Sequence, residues 1–240
     1  MKIAEIAAGE NFSKSLQPVG LKFLVRPMSW VATSVLIRFR VRPNNVTSFR
    51  IIVTLACYAG MIFKPDAISP LLGIVLLIGV VGTAVDGCLS RSLDQASYFG
   101  KYYDGFMDSI TETFLYLAIG FSLWVGEDND PAVVYAVIAS MSLILFQAGG
   151  LRHQSIEQQL LASRHQKPLL EANPHFARLW NFIGRQMPVH MWDLRYFGLI
   201  AALFADELST YLFVMALAQG AHIGLFLPLR LHMSYLVLNV

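Results

Sequence analysis

Asp86, Asp104 and Asp108 stand at the edges of two apolar stretches, within VGTAVDGCLSRSLDQASYFGKYYDGFMDSITE at residues 81–112. Asp86 ends one apolar run, and Asp104 and Asp108 begin the next. A carboxylate at the mouth of a membrane bundle is costly to desolvate, so it marks a functional site by default. Asp104, Asp108 and Glu112 recur at i, i+4 and i+8, which places them near one helical face. Acids stacked in this way repel unless a cation or a base sits between them. Two antiparallel helices joined through residues 88–98 would bring Asp86 beside Asp104. Oxygen-only ligands suit Mg²⁺ or Mn²⁺ rather than zinc, and no His–Cys set has comparable placement. Arg91, five residues past Asp86, reaches a phosphate bound there. Gly87, Gly100 and Gly105 let helices or a substrate backbone come close. The chemistry this suits is metal-assisted transfer at phosphorus: a divalent ion neutralises phosphate oxygens, and a carboxylate takes the proton of an attacking hydroxyl.

The elements that must position these residues are membrane helices. Of 240 residues, 55% are hydrophobic and 14% charged, against about 25% charged in a soluble domain, and the mean hydropathy is +0.54. Runs free of Lys, Arg, Asp and Glu cover 51–63, 67–85, 113–126, 131–151 and 208–229, with a shorter one at 196–205. A span of about 30 Å of hydrocarbon needs about 20 such residues. The expected fold is an all-α polytopic membrane protein with six transmembrane helices, near 45–63, 68–88, 99–124, 131–150, 192–206 and 209–230. Thr47 or Asn45 caps the first, and the fourth ends near Gly149–Gly150. Residues 13–39 mix apolar positions with Lys14, Lys22, Arg26 and Arg38, which predicts N-terminal interfacial amphipathic helices broken at Pro27. Two parts follow: 1–41 as cytoplasmic N-terminus and interfacial helices, and 42–240 as the six-helix domain. The polar connection 151–191 is expected to form a surface helix over 155–165 and a loop through Pro168 and Pro174.

Charge sets the orientation. Connections 64–67, 126–130 and 206–208 carry six acids and the single base Lys64, whereas the other side carries Arg38, Arg40, Arg42, Arg50, Arg91, Lys101, Arg152 and most remaining bases. The positive-inside bias puts both termini and the acid cluster in the cytoplasm, in the bacterial inner membrane or an equivalent one. The N-terminus lacks the apolar core of a signal peptide. Cys57 and Cys88 give no disulfide framework. A net charge of +2 is uninformative by itself, and no nucleic-acid partner is expected.

At this point the segment resembles the signature of the CDP-alcohol phosphatidyltransferases. That signature reads Asp, two residues, Asp-Gly, two residues, Ala-Arg, eight residues, Gly, three residues, Asp, three residues, Asp. Here it is met by Asp86-Gly87, Arg91, Gly100, Asp104 and Asp108. Thr83 stands in place of the first aspartate and Ser90 in place of the alanine. RPNNVTSFR at 42–50 resembles the Pro-Asn-x-x-Thr-x-x-Arg start of the family's first membrane helix, and RPMSWVAT at 26–33 an interfacial segment of some members.

The resemblance implies a phosphatidyltransferase-type enzyme. It would pass a substituted phosphate from a CDP-linked donor to an alcohol acceptor and release CMP, in phospholipid or related phosphodiester synthesis within the lipid membrane. It implies Asp86 and Asp104 as metal ligands, Asp108 as general base and further ligand, and Thr83 at the remaining ligand position as a neutral hydroxyl. The nucleotide falls near Gly87, Ser90, Arg91 and Gly100, and family members often form homodimers. Glu112 is a candidate to compensate for Thr83. Arg50, Arg152 and Arg195 are candidates for an acceptor phosphate, and Arg195 has Asp193 as an alternative partner. Two other readings stay open: a non-catalytic nucleotide- or lipid-binding protein, made plausible by Thr83, and an ion-coupled transporter, for which the acids form no path across the bilayer.

Overall fold

The computed structural model describes Pro18, residues 20–164, Arg178 and residues 181–238. The described residues are highly helical. A π-helical turn, Leu21–Val25, runs into α1, Arg26–Arg38; then follow α2, Pro43–Phe63, α3, Ile68–Ser92, and α4, Tyr98–Glu127. Next come α5, Asp130–Arg164, a π-helical segment, Asn181–Gln186, leading into α6, Met187–Ala205, and α7, Leu208–Leu238. Among the described residues, five helical segments are long and apolar enough to cross a membrane: Pro43–Phe63, Pro65–Ser92, Tyr98–Glu127, Asp130–Arg152 and Leu208–His232. The chain is an integral, multi-pass membrane protein. The expected fifth span falls on α6, which is a helix but not among those five; Asp193 and Arg195 lie inside it.

α4 is the central helix. Half of its apolar window is buried, against 22% for the span containing α3. Tyr116, Ile119 and Leu123 of α4 are enclosed by Met61, Leu72, Leu212 and Met215. Gly120 lets α5 close in, because a Cβ there would lie 2.4 Å from that of Ala136. Lipid supplies little hydrophobic drive between helices, so small residues and interhelical hydrogen bonds set such contacts. Tyr58 donates to Thr111 O at 2.9 Å, Ser122 to Met61 O at 2.7 Å and Ser140 to Thr113 O at 3.0 Å. α4 and α6 both end on left-handed aspartates, Asp128 and Asp206, a conformation short polar side chains tolerate.

Three local expectations are corrected. The N-cap of α2 is Arg42, with Pro43 in the first turn and no side-chain cap, so Asn45 and Thr47 lie inside the helix. Pro27 does not break the chain; it sits in the first turn of α1, where a missing N–H costs little, and the π turn precedes it directly. The fourth span and the surface helix expected at 155–165 are one continuous 35-residue helix, α5. Gly149 and Gly150 keep helical geometry, and the Gln-, Glu-, Leu- and Ala-rich stretch after them favours helix. The loop expected through Pro168 and Pro174 lies outside the described residues.

Candidate active site

The site forms where α2 begins, α3 ends and α4 begins. Pro43 starts α2, and Thr47 and Arg50 follow one turn apart on its inner face; both are buried. Thr47 Oγ1 donates to Asp86 Oδ2 at 2.8 Å, and Gly87 N–H donates to Asp86 Oδ1 at 2.7 Å. Asp86 is only 4% exposed, so both its oxygens are held from the protein side. Arg50 forks across the next helix: Nη2 is 3.2 Å from Asp104 Oδ1 and Nη1 is 2.6 Å from Asp108 Oδ1. A guanidinium presents two parallel donors, and here they bridge carboxylates one helical turn apart. The carboxylates of Asp86 and Asp104 approach within hydrogen-bonding reach of each other.

α4 is started by Ser97, whose Oγ accepts the Gly100 N–H at 3.0 Å. This cap fixes where Asp104 and Asp108 project. Gly82 on α3 makes room for Arg50: a Cβ there would lie 2.6 Å from Arg50 Cδ. Gly105, expected to permit a close approach, faces open space within 4 Å.

A cavity of about 580 Å³ opens at this end of the bundle, within the 300–1,000 Å³ range typical of ligand sites. Asp86 and Asp104 line it together with Gly87, Ser90, Arg91 and Gly100. The structure therefore gathers six of the residues singled out in the sequence. Asp108 lies one turn further along α4, beyond the ion pair with Arg50. Thr83 sits one turn before Asp86 and donates to Val80 O at 3.0 Å; it is not among the residues lining this cavity.

The candidate arginines divide. Arg50 is committed to Asp104 and Asp108, and Arg152 is exposed on α5. Arg195 is buried and pairs with Glu112 at 2.5 Å, while Asp193 Oδ1 accepts the Gly20 N–H at 3.2 Å. Glu112, offered as a substitute for Thr83, is held by Arg195 and by Gln147 Nε2 at 3.4 Å.

Sequence reasoning missed Thr47 as a partner of Asp86 and Gly82 as the passage for Arg50. The first had a visible signal, since Thr47 and Arg50 are three residues apart and share a helical face. The second depends on a contact between helices that no local spacing shows.

Apolar helices that converge on a carboxylate-walled cavity define a membrane protein with a polar site at one end of its bundle. The family model for CDP-alcohol phosphatidyltransferase matches residues 40–169, and the chain belongs to this family. The match takes in α2 to α5 entire, hence all of Asp86, Asp104, Asp108 and Arg50. At family level the chemistry is phosphotransfer between a CDP-linked donor and an alcohol acceptor, carried out by a membrane enzyme. Comparison with curated proteins and with solved structures gives no match.

Proposed function

We propose that this chain catalyses metal-dependent transfer of a substituted phosphate from a CDP-linked donor to an alcohol, with release of CMP, in phospholipid or related phosphodiester synthesis. The observation that carries this reading is the meeting of Asp86 and Asp104 in the large cavity while Arg50 bridges Asp104 to Asp108. The donor set fits a hard divalent cation. It is all oxygen, as Mg²⁺ and Mn²⁺ prefer. Asp86, Asp104 and Asp108 supply three carboxylates for one such ion, while Arg50, Arg91 and Lys101 bring three cationic groups to the same end of the bundle. Asp86 and Asp104 would hold it, with Asp108 beside it and Thr83 standing where the family signature has its first aspartate. With its hydroxyl turned to its own helix, Thr83 supports a site with one firmly held metal. When bound, the ion neutralises donor phosphate oxygens and makes phosphorus more electrophilic.

The residues of the chain do the rest. Gly87, Ser90, Arg91 and Gly100 receive the nucleotide end of the donor. Asp108, oriented by Arg50, accepts the proton of the acceptor hydroxyl. The hydroxyl oxygen bonds to the β-phosphorus, the bond from that phosphorus to the bridging oxygen breaks, and CMP departs. Arg152, exposed near the end of a span, is the arginine placed to meet a charged acceptor, because Arg50 and Arg195 are occupied by carboxylates. The interfacial α1 lies at the cytoplasmic face, and the helices from α2 onward form the catalytic bundle. α6 makes the sixth span, the site and both termini face the cytoplasm of a bacterial inner membrane or equivalent, and the chain works as a homodimer. Support for the interfacial segment lying at lipid comes from the outward Phe23 and Leu24 of the π-helical turn and Val31 and Val35 of α1, set against the inward Ser29 and Thr33 of α1.

The test is CMP release from a panel of CDP-alcohols by purified protein with Mg²⁺ or Mn²⁺. Release should require one class of acceptor, and Asp108→Asn should lower it by about 10²–10⁴-fold. Full activity in that variant would remove the base assignment. Thr83→Asp should tighten the apparent metal affinity; an unchanged metal titration would show that position 83 does not face the ion.

A further inference from the structure

Behind Arg50 the bundle encloses a second cavity of about 20 Å³, walled by residues of α2, α3, α4 and α6. About 10–15 Å³ accommodates one water molecule, given two to four polar partners. The space therefore suits one water and nothing larger. Val75, Leu76 and Leu115 form its apolar side, and Arg50, Thr54 and Asp108 contribute polar atoms. Those three residues each carry a buried atom without a hydrogen bond among the described residues: Arg50 Nε, Thr54 Oγ1 and Asp108 Oδ1. Arg50 and Thr54 are each 3% exposed. Asp108 Oδ1 has its ion contact with Arg50 Nη1 but no aligned hydrogen bond. Neighbouring polar groups on the same wall are satisfied: Tyr58 donates to Thr111 O, Thr111 to Met107 O and Asp108 O, and Glu112 accepts from Arg195 and Gln147. A buried donor or acceptor without a hydrogen bond is costly, and the three residues that carry such atoms line one space.

We propose that this cavity is the site of one resident water, and that Thr54 is a positioning residue acting through it. The water accepts from Arg50 Nε and donates to Asp108 Oδ1 and Thr54 Oγ1, the three bonds usual for a buried water. It ties Asp108 to α2 by a second link beside the guanidinium, so the carboxylate holds one orientation while its other oxygen serves the acceptor hydroxyl. The water is neither consumed nor exchanged in the reaction. The orientation role rests on the function proposed above; the water site does not.

Two measurements test this on the full-length protein. An experimental structure at a resolution showing ordered solvent should place one peak within hydrogen-bond distance of all three atoms. That peak should vanish in Thr54→Val, which keeps the side-chain shape, and remain in Thr54→Ser. In CMP-release kinetics Thr54→Val should lower kcat about tenfold, as a misplaced catalytic group does, with donor KM unchanged, and Thr54→Ser should restore it. An empty cavity in the parent protein overturns the water site, and a peak that persists in Thr54→Val overturns the part given to Thr54. Parent-level kcat in Thr54→Val after loss of the peak overturns the positioning role. If the parent protein releases no CMP with any acceptor, the catalytic reading fails, and the solvent peak still decides the water site.

Discussion

Two arginines meet the acidic row of α4, and their surroundings differ. Arg195, reaching from α6, takes Glu112 at 2.5 Å and donates from Nε to Tyr116 Oη at 2.9 Å. Gln219 donates to the same Tyr116 oxygen at 2.6 Å, and Tyr211 closes on the Arg195 carbonyl at 2.9 Å. One acid meets one base, and α4, α6 and α7 are tied together around them. Arg50, reaching from α2, faces Asp104 and Asp108 while Asp86 stands close by. The first arrangement is an anchor. The second sets two carboxylates against one guanidinium beside an open cavity that Asp86 and Asp104 line. Spacing at i, i+4 and i+8 makes the three α4 acids look equivalent; the ratio of acid to base around each one separates them.

The largest effect that should sharpen this contrast is on stability at the anchor. Glu112→Gln strands a buried guanidinium, and breaking such a pair costs about 3–5 kcal/mol. Thermal unfolding in detergent should show the loss, while the folded fraction keeps its donor KM. An unchanged midpoint with lost activity would move Glu112 into the site and erase the distinction. Gly82→Ala acts at the other arginine. Its Cβ would overlap Arg50 Cδ, and overpacking of this kind costs about 1–3 kcal/mol. CMP release should fall by more than the stability change explains, because the displaced guanidinium leaves Asp104 and Asp108. A variant with normal activity would show that Arg50 can re-route. Ser97→Ala should be the mildest, about 1 kcal/mol for a lost cap. Hydrogen exchange should speed up at residues 98–104 and stay the same around Glu112; faster exchange at both would mean that α4 responds as one unit.

Much of this arrangement is legible in the chain. Apolar runs interrupted by short polar connections give the spanning helices, and the i+4 recurrence places Asp104 and Asp108 on one face. The start of α2 also carries its own geometry, since Thr47 and Arg50 are three positions apart. What stays hidden depends on distant pairing. Arg195 lies next to Asp193 in sequence yet binds Glu112, 83 positions away, because α6 turns that face toward α4. The role of Gly82 exists only once α2 lies against α3. The end of the fourth span is misread because Gly149 and Gly150 look like a stop, whereas a helix held on both sides of a glycine pair pays only the modest propensity cost and continues.

That continuation has a practical consequence. At 1.5 Å per residue, the 35 residues of α5 extend about 52 Å, and a bilayer core takes up about 30 Å. α5 is longer than that core by on the order of 20 Å, and its C-terminal end lies on the side to which it returns from α4, the side of the acid cavity. A 26.7 kDa bundle inside a detergent micelle has a nearly featureless outline. The C-terminal end of α5, beside the similarly long α7, offers a fusion point for an alignment scaffold that would mark which way up each particle lies.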